Sequence, residues 1–215
     1  MMEIRKIAGI TPEDREAVEA AFAGVESQAI ACCNWPAEFP YAPQVSFRMF
    51  HTGAWLMLRF DVAERYTMAR VTEDNGRSWT DSCVEFFISP DGKEYYNFET
   101  TCAGRLLLAW HKSRHEAEQA PREVLDAVKR YTSLPFGETF EERVGDNRWS
   151  LTLAIPPRAL FRHRIDDWSG AKASMNLYKC GDELSHPHFL SWKSIETEKP
   201  DFHRPEFFAE VAFAR

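Results

Sequence analysis

Several features that define common protein classes are absent from this sequence of 215 residues. The five cysteines include no C-x-x-C pair, and their odd number indicates neither a zinc knuckle nor a complete disulfide framework. No apolar run approaches the roughly 20 residues that span a bilayer. Lys and Arg number 26 against 33 Asp and Glu, a net charge of −7. Because a phosphate-binding surface needs positive charge, nucleic acid is disfavoured as the main partner.

Signals for export and for division into domains are also missing. Residues 1–9 include the basic Arg5 and Lys6, but the charged residues 13–16 follow instead of the apolar segment of a signal peptide. The sequence as written predicts a cytoplasmic protein, whereas removal of a signal would leave a periplasmic or extracellular one. No repeat, low-complexity tract or Gly/Ser linker interrupts the chain. We therefore expect one domain over residues 1–215, with a helical lead-in at residues 1–27.

Helical patterning is confined to one clear segment, residues 11–22. Thr11 can cap this helix, Pro12 suits its first turn, Asp14 occupies the reciprocal capping position and Gly24 can end it. Residues 112–126 are ambiguous, with a short helix possible after Pro121.

The remaining pattern has a period of two, which is typical of strands with one buried face. Turn residues at 74–76, 90–92, 145–147 and 156–157 separate the segments. This pattern predicts an all-β fold, an antiparallel β-sandwich of about ten strands. The expected strands cover residues 28–34, 45–50, 54–62, 66–71, 83–89, 94–101, 105–111, 127–133, 149–155, 172–180 and 209–213.

Three polar residues interrupt the aromatic pattern between residues 79 and 111. Alternation turns Glu85 away from the core in one strand, and Asn97 and Glu99 away from it in the next. Because neighbours on one face of an antiparallel sheet lie ~5 Å apart, these side chains are expected to form one polar cluster. The sequence alone also allows Glu85 to be an ordinary solvated strand residue.

The same stretch resembles the family 9 carbohydrate-binding modules, first described as appendages of xylanases. The matching motif consists of Trp79, Asp81, Val84, Glu85, Phe87 and Ile88. Residues 175–178, 191–192 and 200–208 resemble further motifs of the family. The stretch from residues 179–182 through 201–205 is more similar still to a bacterial subgroup called family 9-like proteins. The resemblance spans roughly residues 30–215 and implies a β-sandwich that binds sugar.

The resemblance also implies roles for individual residues. The family holds the reducing end of a sugar between two tryptophans, of which Trp79 corresponds to the first. The position of the second falls near Phe202, which is flanked by His203. Sugar rings present apolar C–H faces that dock on such aromatic planes.

The resemblance also implies polar contacts with the sugar, at Glu85, Asn97 and Glu99. Glu85 corresponds to a carboxylate that binds hydroxyls, and Asn97 corresponds to a family amide. Glu99 stands where the family has a sugar-binding arginine, so an acceptor replaces a donor.

These residues predict a non-catalytic site for a mono- or oligosaccharide chain end. Its predicted members are Trp79, Glu85, Asn97, Glu99, Phe202 and His203. No cofactor is expected, although the resemblance implies that structural calcium is possible at acidic pairs such as 73–74 or 166–167. His186 and His188 could join His203 around a metal, but their spacing is unspecific, and we predict no metal site.

Two enzyme or redox interpretations stay open. Glu85 and Glu99 on neighbouring strands could supply the two carboxylates of a glycoside hydrolase, although no hydrolase signature is present. The pair His111 and His115 lacks the glutamate of a zinc hydrolase motif.

The second alternative is a haem or redox module, because related sandwiches hold haem between methionine and histidine or lysine. Met49, Met57 and Met175 lie on expected strands, but the sequence contains no C-x-x-C-H attachment motif.

Overall fold

Fourteen strands form two β-sheets in the computed structural model, which describes all 215 residues. Two helices accompany them, α1 (Arg15–Ala23) and α2 (Arg122–Ala127). Neither helix has the length and apolar composition that crossing a membrane would require. The strands are β1 (Met2–Ile4), β2 (Gln28–Ala29), β3 (Cys32–Cys33), β4 (Gln44–His51), β5 (Leu56–Ala69), β6 (Cys83–Ser89), β7 (Tyr95–Thr101), β8 (Leu106–Ser113), β9 (Glu116–Gln119), β10 (Lys129–Thr132), β11 (Phe140–Ile155), β12 (Lys172–Cys180), β13 (Phe189–Ser191) and β14 (Ala209–Phe213).

The two sheets pack face to face around a core to which both contribute. The nine-stranded sheet has the order β1-β14-β12-β6-β7-β8-β9, with β13 paired to β12 and β3 paired to β13. The five-stranded sheet has the order β10-β11-β5-β4-β2. Every pairing between these strands is antiparallel except that of β1 with β14. A cluster of 35 buried apolar residues fills the space between the sheets. The predicted antiparallel β-sandwich is therefore confirmed, with several more short strands than expected.

Helix α1 begins later than the sequence predicted. Its N-cap is Asp14, whose Oδ1 accepts a hydrogen bond from the backbone N–H of Ala17 at 3.1 Å. Thr11 instead closes a turn before the helix, because its carbonyl accepts the N–H of Asp14 at 3.2 Å. The assignment of Thr11 as the cap was wrong, since a carboxylate three residues ahead of a free N–H satisfies it directly. The helix buries Val18 and Phe22.

Two long strands replace several expected short ones. β5 runs without a break through the predicted gap at residues 63–65, and β11 runs through the predicted turn at residues 145–147. The turn prediction was wrong because β5 continues opposite β11. The additional residues are accommodated by register shifts on both sides of Val144. The short helix after Pro121 is present as α2.

The outer face of the nine-stranded sheet is covered rather than solvated. An apolar cluster on this face includes Phe87 of β6, Tyr95 of β7 and Tyr178 of β12, together with Phe202 from the chain segment that precedes β14. Every residue of β6 and β7 is consequently buried. The interpretation of Glu85 as a solvated residue is wrong, because only 3% of it is exposed.

Candidate functional site

A cavity of about 470 Å³ lies on the outer face of the nine-stranded sheet, above β6, β7 and β8. All six residues that the sequence predicted as site members line this cavity: Trp79, Glu85, Asn97, Glu99, Phe202 and His203. Alternation along β6 and β7 supplies the polar residues, and two connecting segments supply the aromatic residues and His203. The predicted residues therefore meet at one place in the fold.

Two opposed carboxyl groups form the floor of the cavity. Glu85 and Glu99 are direct partners in the register of β6 and β7, and each is at least 96% buried. The Sγ of Cys180 donates to Glu85 Oε1 at 3.0 Å, and Asn97 Nδ2 donates to Glu99 Oε1 at 2.7 Å. Glu99 Oε2 is buried without any hydrogen-bond partner. The floor thus contains an acceptor that the protein itself leaves free.

Burial dominates the electrostatics of this floor. It raises the pKa of Glu85 well above its usual value, and the neighbouring Glu99 raises it further. Burial also raises the pKa of Glu99, to about 7, against the opposing effect of the Asn97 hydrogen bond. Both carboxyls are protonated more readily than free glutamate because little solvent and no paired cation stabilises their charge.

Asn97 and His111 form a fixed polar wall beside the carboxyls. The backbone N–H of Ala109 donates to Asn97 Oδ1 at 3.1 Å, which identifies that atom as the carbonyl oxygen. His111 Nε2 lies 3.0 Å from the same oxygen and must therefore carry a proton. Burial lowers the pKa of His111, so its other nitrogen is an unprotonated acceptor.

His203 is held against the opposite side of this wall. Its Nδ1 lies 3.0 Å from the hydroxyl of Tyr95, and its backbone N–H donates to Asp201 Oδ1 at 3.0 Å. Burial is the largest cause that lowers the pKa of His203 to about 3, and the neighbouring titratable groups of His111, Arg114 and His115 disfavour its protonation further. His203 is therefore a neutral hydrogen-bonding group near neutral pH.

The two predicted aromatic platforms differ in how much ring they present. Trp79 is half-buried in a single 3-10 turn, Ser78–Thr80. Phe202 is only 8% exposed, and its ring stacks on Tyr178 at a centroid distance of 4.2 Å with an interplanar angle of 8°. One face of Phe202 is therefore covered, and Trp79 offers the larger free aromatic surface.

Sequence reasoning missed part of the cavity lining. The missed polar members include His111, Arg114, His115, Cys180, Asp182 and Asp201. His111 and His115 were discounted as a zinc hydrolase motif, yet both reach the cavity from the end of β8 and the turn after it. Cys180 and Asp182 belong to residues 179–182, which the family resemblance had already singled out.

The other metal and redox candidates are separated in the fold. His186 stacks on Tyr66 at 4.0 Å, whereas the buried His188 has its Nε2 2.7 Å from Lys179 Nζ. Neither histidine lines the cavity that contains His203. Met49, Met57 and Met175, considered as haem ligands, are at most 2% exposed and pack in apolar clusters.

One residue of each acidic pair considered for calcium has a protein partner. Asp74 pairs with Arg130 through Oδ1 at 2.7 Å, and Asp167 Oδ1 accepts the N–H of Ser169 at 2.6 Å. Two other groups bring ligand atoms within 4.8 Å of one another. They consist of Asp91, Glu94 and His163, and of Cys83, Glu85 and Cys180. Neither is the all-oxygen set that calcium takes, so neither fits the calcium implied by the resemblance.

Comparison with solved structures places this fold beside carbohydrate-binding proteins. A crystal structure of a candidate carbohydrate-binding protein from Bacteroides uniformis ATCC 8492 is 44% identical, with a TM-score of 0.93, and the match covers 99% of this chain and 98% of that one. A family 9 module from Caldicellulosiruptor kristjanssonii in complex with glucose is 10% identical, with a TM-score of 0.62 and coverage of 100% and 96%. The module from the same organism in complex with cellotriose is 9% identical, with a TM-score of 0.60 and coverage of 99% and 93%. At this identity, the two modules show a shared fold.

No curated protein matches the chain. The sequence model described as carbohydrate-binding family 9 matches residues 16–213. That match covers nearly the whole chain, including both sheets and the cavity. The chain belongs to carbohydrate-binding family 9.

Proposed function

We propose that the cavity binds a monosaccharide or the end of an oligosaccharide chain and does not hydrolyse it. The observation that carries this proposal is that a partly exposed aromatic side chain, Trp79, lines the cavity beside a floor of fixed acceptors and donors. A cavity of about 470 Å³ falls within the size range of small-molecule sites. Aromatic surface next to a few oriented polar groups is what a sugar ring requires.

Each polar group has a distinct part in this proposal. Glu99 Oε2 and Glu85 accept hydrogen bonds from sugar hydroxyls when ionised, and each can donate one when protonated. Asn97 orients Glu99 through its 2.7 Å hydrogen bond and has its own carbonyl oxygen already occupied. His203, held by Tyr95 and Asp201, presents a neutral ring to the cavity. Phe202 forms part of the cavity wall and offers little ring surface for a sugar, because one of its faces stacks on Tyr178.

Calorimetric titration with glucose and cellotriose tests the proposal, since family 9 modules of the same fold are known in complex with both. We expect Trp79→Ala to weaken binding by about 1–3 kcal/mol, the loss typical of an aromatic anchor. Trp55→Ala is the matched control, because Trp55 is also half-buried but packs near α1, away from the cavity. The control should bind as the unmodified protein does.

If neither sugar binds, a glycan array with the unmodified protein and the Trp79→Ala variant extends the search. The proposal fails if no glycan binds, or if the Trp79→Ala variant binds the same glycan equally well.

Glycoside hydrolysis is the second candidate, favoured by one observation: two buried carboxyls face each other across β6 and β7. Hydrolysis needs an acid and a second carboxylate placed about the scissile bond. Release of reducing sugar by the unmodified protein, lost in both Glu85→Gln and Glu99→Gln, would support an enzyme. Binding without release supports the non-catalytic proposal.

A further inference from the structure

Two cysteines and a glutamate converge beneath the cavity. Cys83 and Cys180 are direct partners in the register of β6 and β12, and Glu85 lies two residues after Cys83 on the same face. One ligand atom from each residue lies within 4.8 Å of the other two. Cys180 Sγ and Glu85 Oε1 are 3.0 Å apart. All three residues are at most 3% exposed.

We propose that Cys83, Cys180 and Glu85 bind a single zinc-like divalent cation at the base of the cavity. Thiolate sulfur selects thiophilic metals, and a set of two sulfurs and one carboxylate oxygen suits tetrahedral zinc. With Zn–S bonds near 2.3 Å and Zn–O bonds of about 2.0–2.2 Å, ligand atoms in a tetrahedral site are separated by roughly 3.3–3.8 Å. The observed cluster needs only small side-chain adjustments to meet this geometry. Both thiols release their protons to solvent on binding.

The fourth coordination position opens toward the cavity. Glu85 and Cys180 line the cavity, so a cation can enter from it. Glu99 stands opposite Glu85 in the register and has an oxygen, Oε2, without a partner. That oxygen is not among the ligand atoms that lie within 4.8 Å of one another, so a water molecule completes the site. A bound cation would also supply the positive charge that the two opposed carboxyls lack. The inference does not depend on sugar binding, because no sugar contact enters it.

Cobalt substitution tests this site with a signal that only thiolate ligands give. The full chain is reduced with a phosphine, freed of metal with a chelator and titrated with Co²⁺. We expect one equivalent to produce near-ultraviolet thiolate-to-cobalt charge transfer and the visible bands of tetrahedral cobalt. One equivalent of Zn²⁺ should abolish both signals, and native mass spectrometry should show one zinc per chain.

Matched variants assign the ligands. Cys83→Ser and Cys180→Ser should each lose or strongly weaken the charge-transfer band. Cys102→Ser should retain it, because Cys102 is equally buried but donates to the carbonyl of Met68 away from the cluster. Glu85→Gln keeps both thiols and should weaken Co²⁺ binding tenfold or more, since even residues that only support a metal ligand contribute ~10–100-fold.

The inference is overturned if the reduced, folded protein shows no thiolate band with excess Co²⁺. It is also overturned if the band persists in Cys83→Ser, or if Glu85→Gln binds Co²⁺ as tightly as the unmodified protein. Glu85→Gln decides the question if the cysteine variants do not fold.

Discussion

Buried glutamates lie against both faces of the nine-stranded sheet, and their partners differ. Glu64 of the five-stranded sheet meets its inner face, whereas Glu85 and Glu99 lie on its outer face. On β12, the adjacent residues Lys179 and Cys180 point to opposite faces, as strand geometry requires. Lys179 points into the sandwich and pairs with Glu64 of β5 at 2.9 Å, with both side chains fully buried. Cys180 points outward and contacts Glu85 on the cavity floor.

The inner group is paired with a cation. Glu64 Oε1 accepts from Trp149 Nε1 at 2.7 Å and from Thr67 Oγ1 at 3.0 Å. Glu64 Oε2 has no hydrogen bond, but it lies 2.9 Å from the ammonium of Lys179. Lys179 also lies 2.7 Å from His188 Nε2. These contacts link the two sheets and give the buried carboxylate a counter-ion within the protein.

The outer group is open. Glu85 and Glu99 face each other without an arginine or lysine partner, and Glu99 Oε2 has no partner of any kind. A buried carboxyl beside a cavity that the protein leaves without a counter-ion is a candidate binding group, whereas one paired with a buried lysine is structural. The comparison therefore separates the carboxyls that hold the sandwich together from those that we propose to bind a ligand in the cavity.

The largest expected effect comes from breaking the inner group. Lys179→Met leaves Glu64 buried without its cation, which costs about 3–5 kcal/mol in other buried pairs. We expect a decrease of that size in the free energy of unfolding, measured by chemical denaturation. The double variant Lys179→Met/Glu64→Gln removes the uncompensated charge and should recover most of the loss. A double variant as unstable as the single one would show that the ion pair is not the cause.

The second effect is a pH dependence that originates at the cavity. The pKa of His203 is lowered to about 3, so its contribution to stability is present above pH 6.5 and is lost as pH falls from 6.5 toward 3. Between pH 7 and pH 5 this amounts to about 1–2 kcal/mol. Stability of His203→Gln should fall less over this range than stability of the unmodified protein. The same fall in both would contradict the assignment. The titratable groups that influence or contact His203 are Tyr95, His111, Arg114, His115 and Asp201.

Sequence patterning could predict the outward direction of the floor residues but not their surroundings. Period-two alternation in β6 and β7 placed Glu85, Asn97 and Glu99 on one face, because side-chain direction in a strand is a local property. Burial of that face depends on distant segments that fold over it, which no local pattern records. For the same reason, no local pattern indicates that Cys180 lies beside Cys83.

The sequence pattern also does not predict the inner ion pair between Lys179 and Glu64. The sequence predicts a gap between two strands at Glu64. In the structure β5 continues through this residue, and its side chain therefore points into the sandwich. The family resemblance includes Lys179 within residues 179–182, but it predicts no partner for this side chain. A charged pair that joins two sheets becomes apparent only when the packing of those sheets is known.

The smallest expected effect is also the sharpest test of the comparison. The same type of substitution, glutamate to glutamine, should change the stability of the protein in opposite directions in the outer and inner groups. At pH 8, above the pKa of about 7 of Glu99, Glu99→Gln in metal-free buffer removes a buried charge that no cation pairs and should stabilise the protein by about 0.2–1 kcal/mol. Glu64→Gln leaves Lys179 without its counter-ion and should destabilise the protein. Chemical denaturation of both variants measures the two signs. If Glu99→Gln also destabilises the protein, Glu99 has a structural role, and the proposed division between holding and binding carboxyls is wrong.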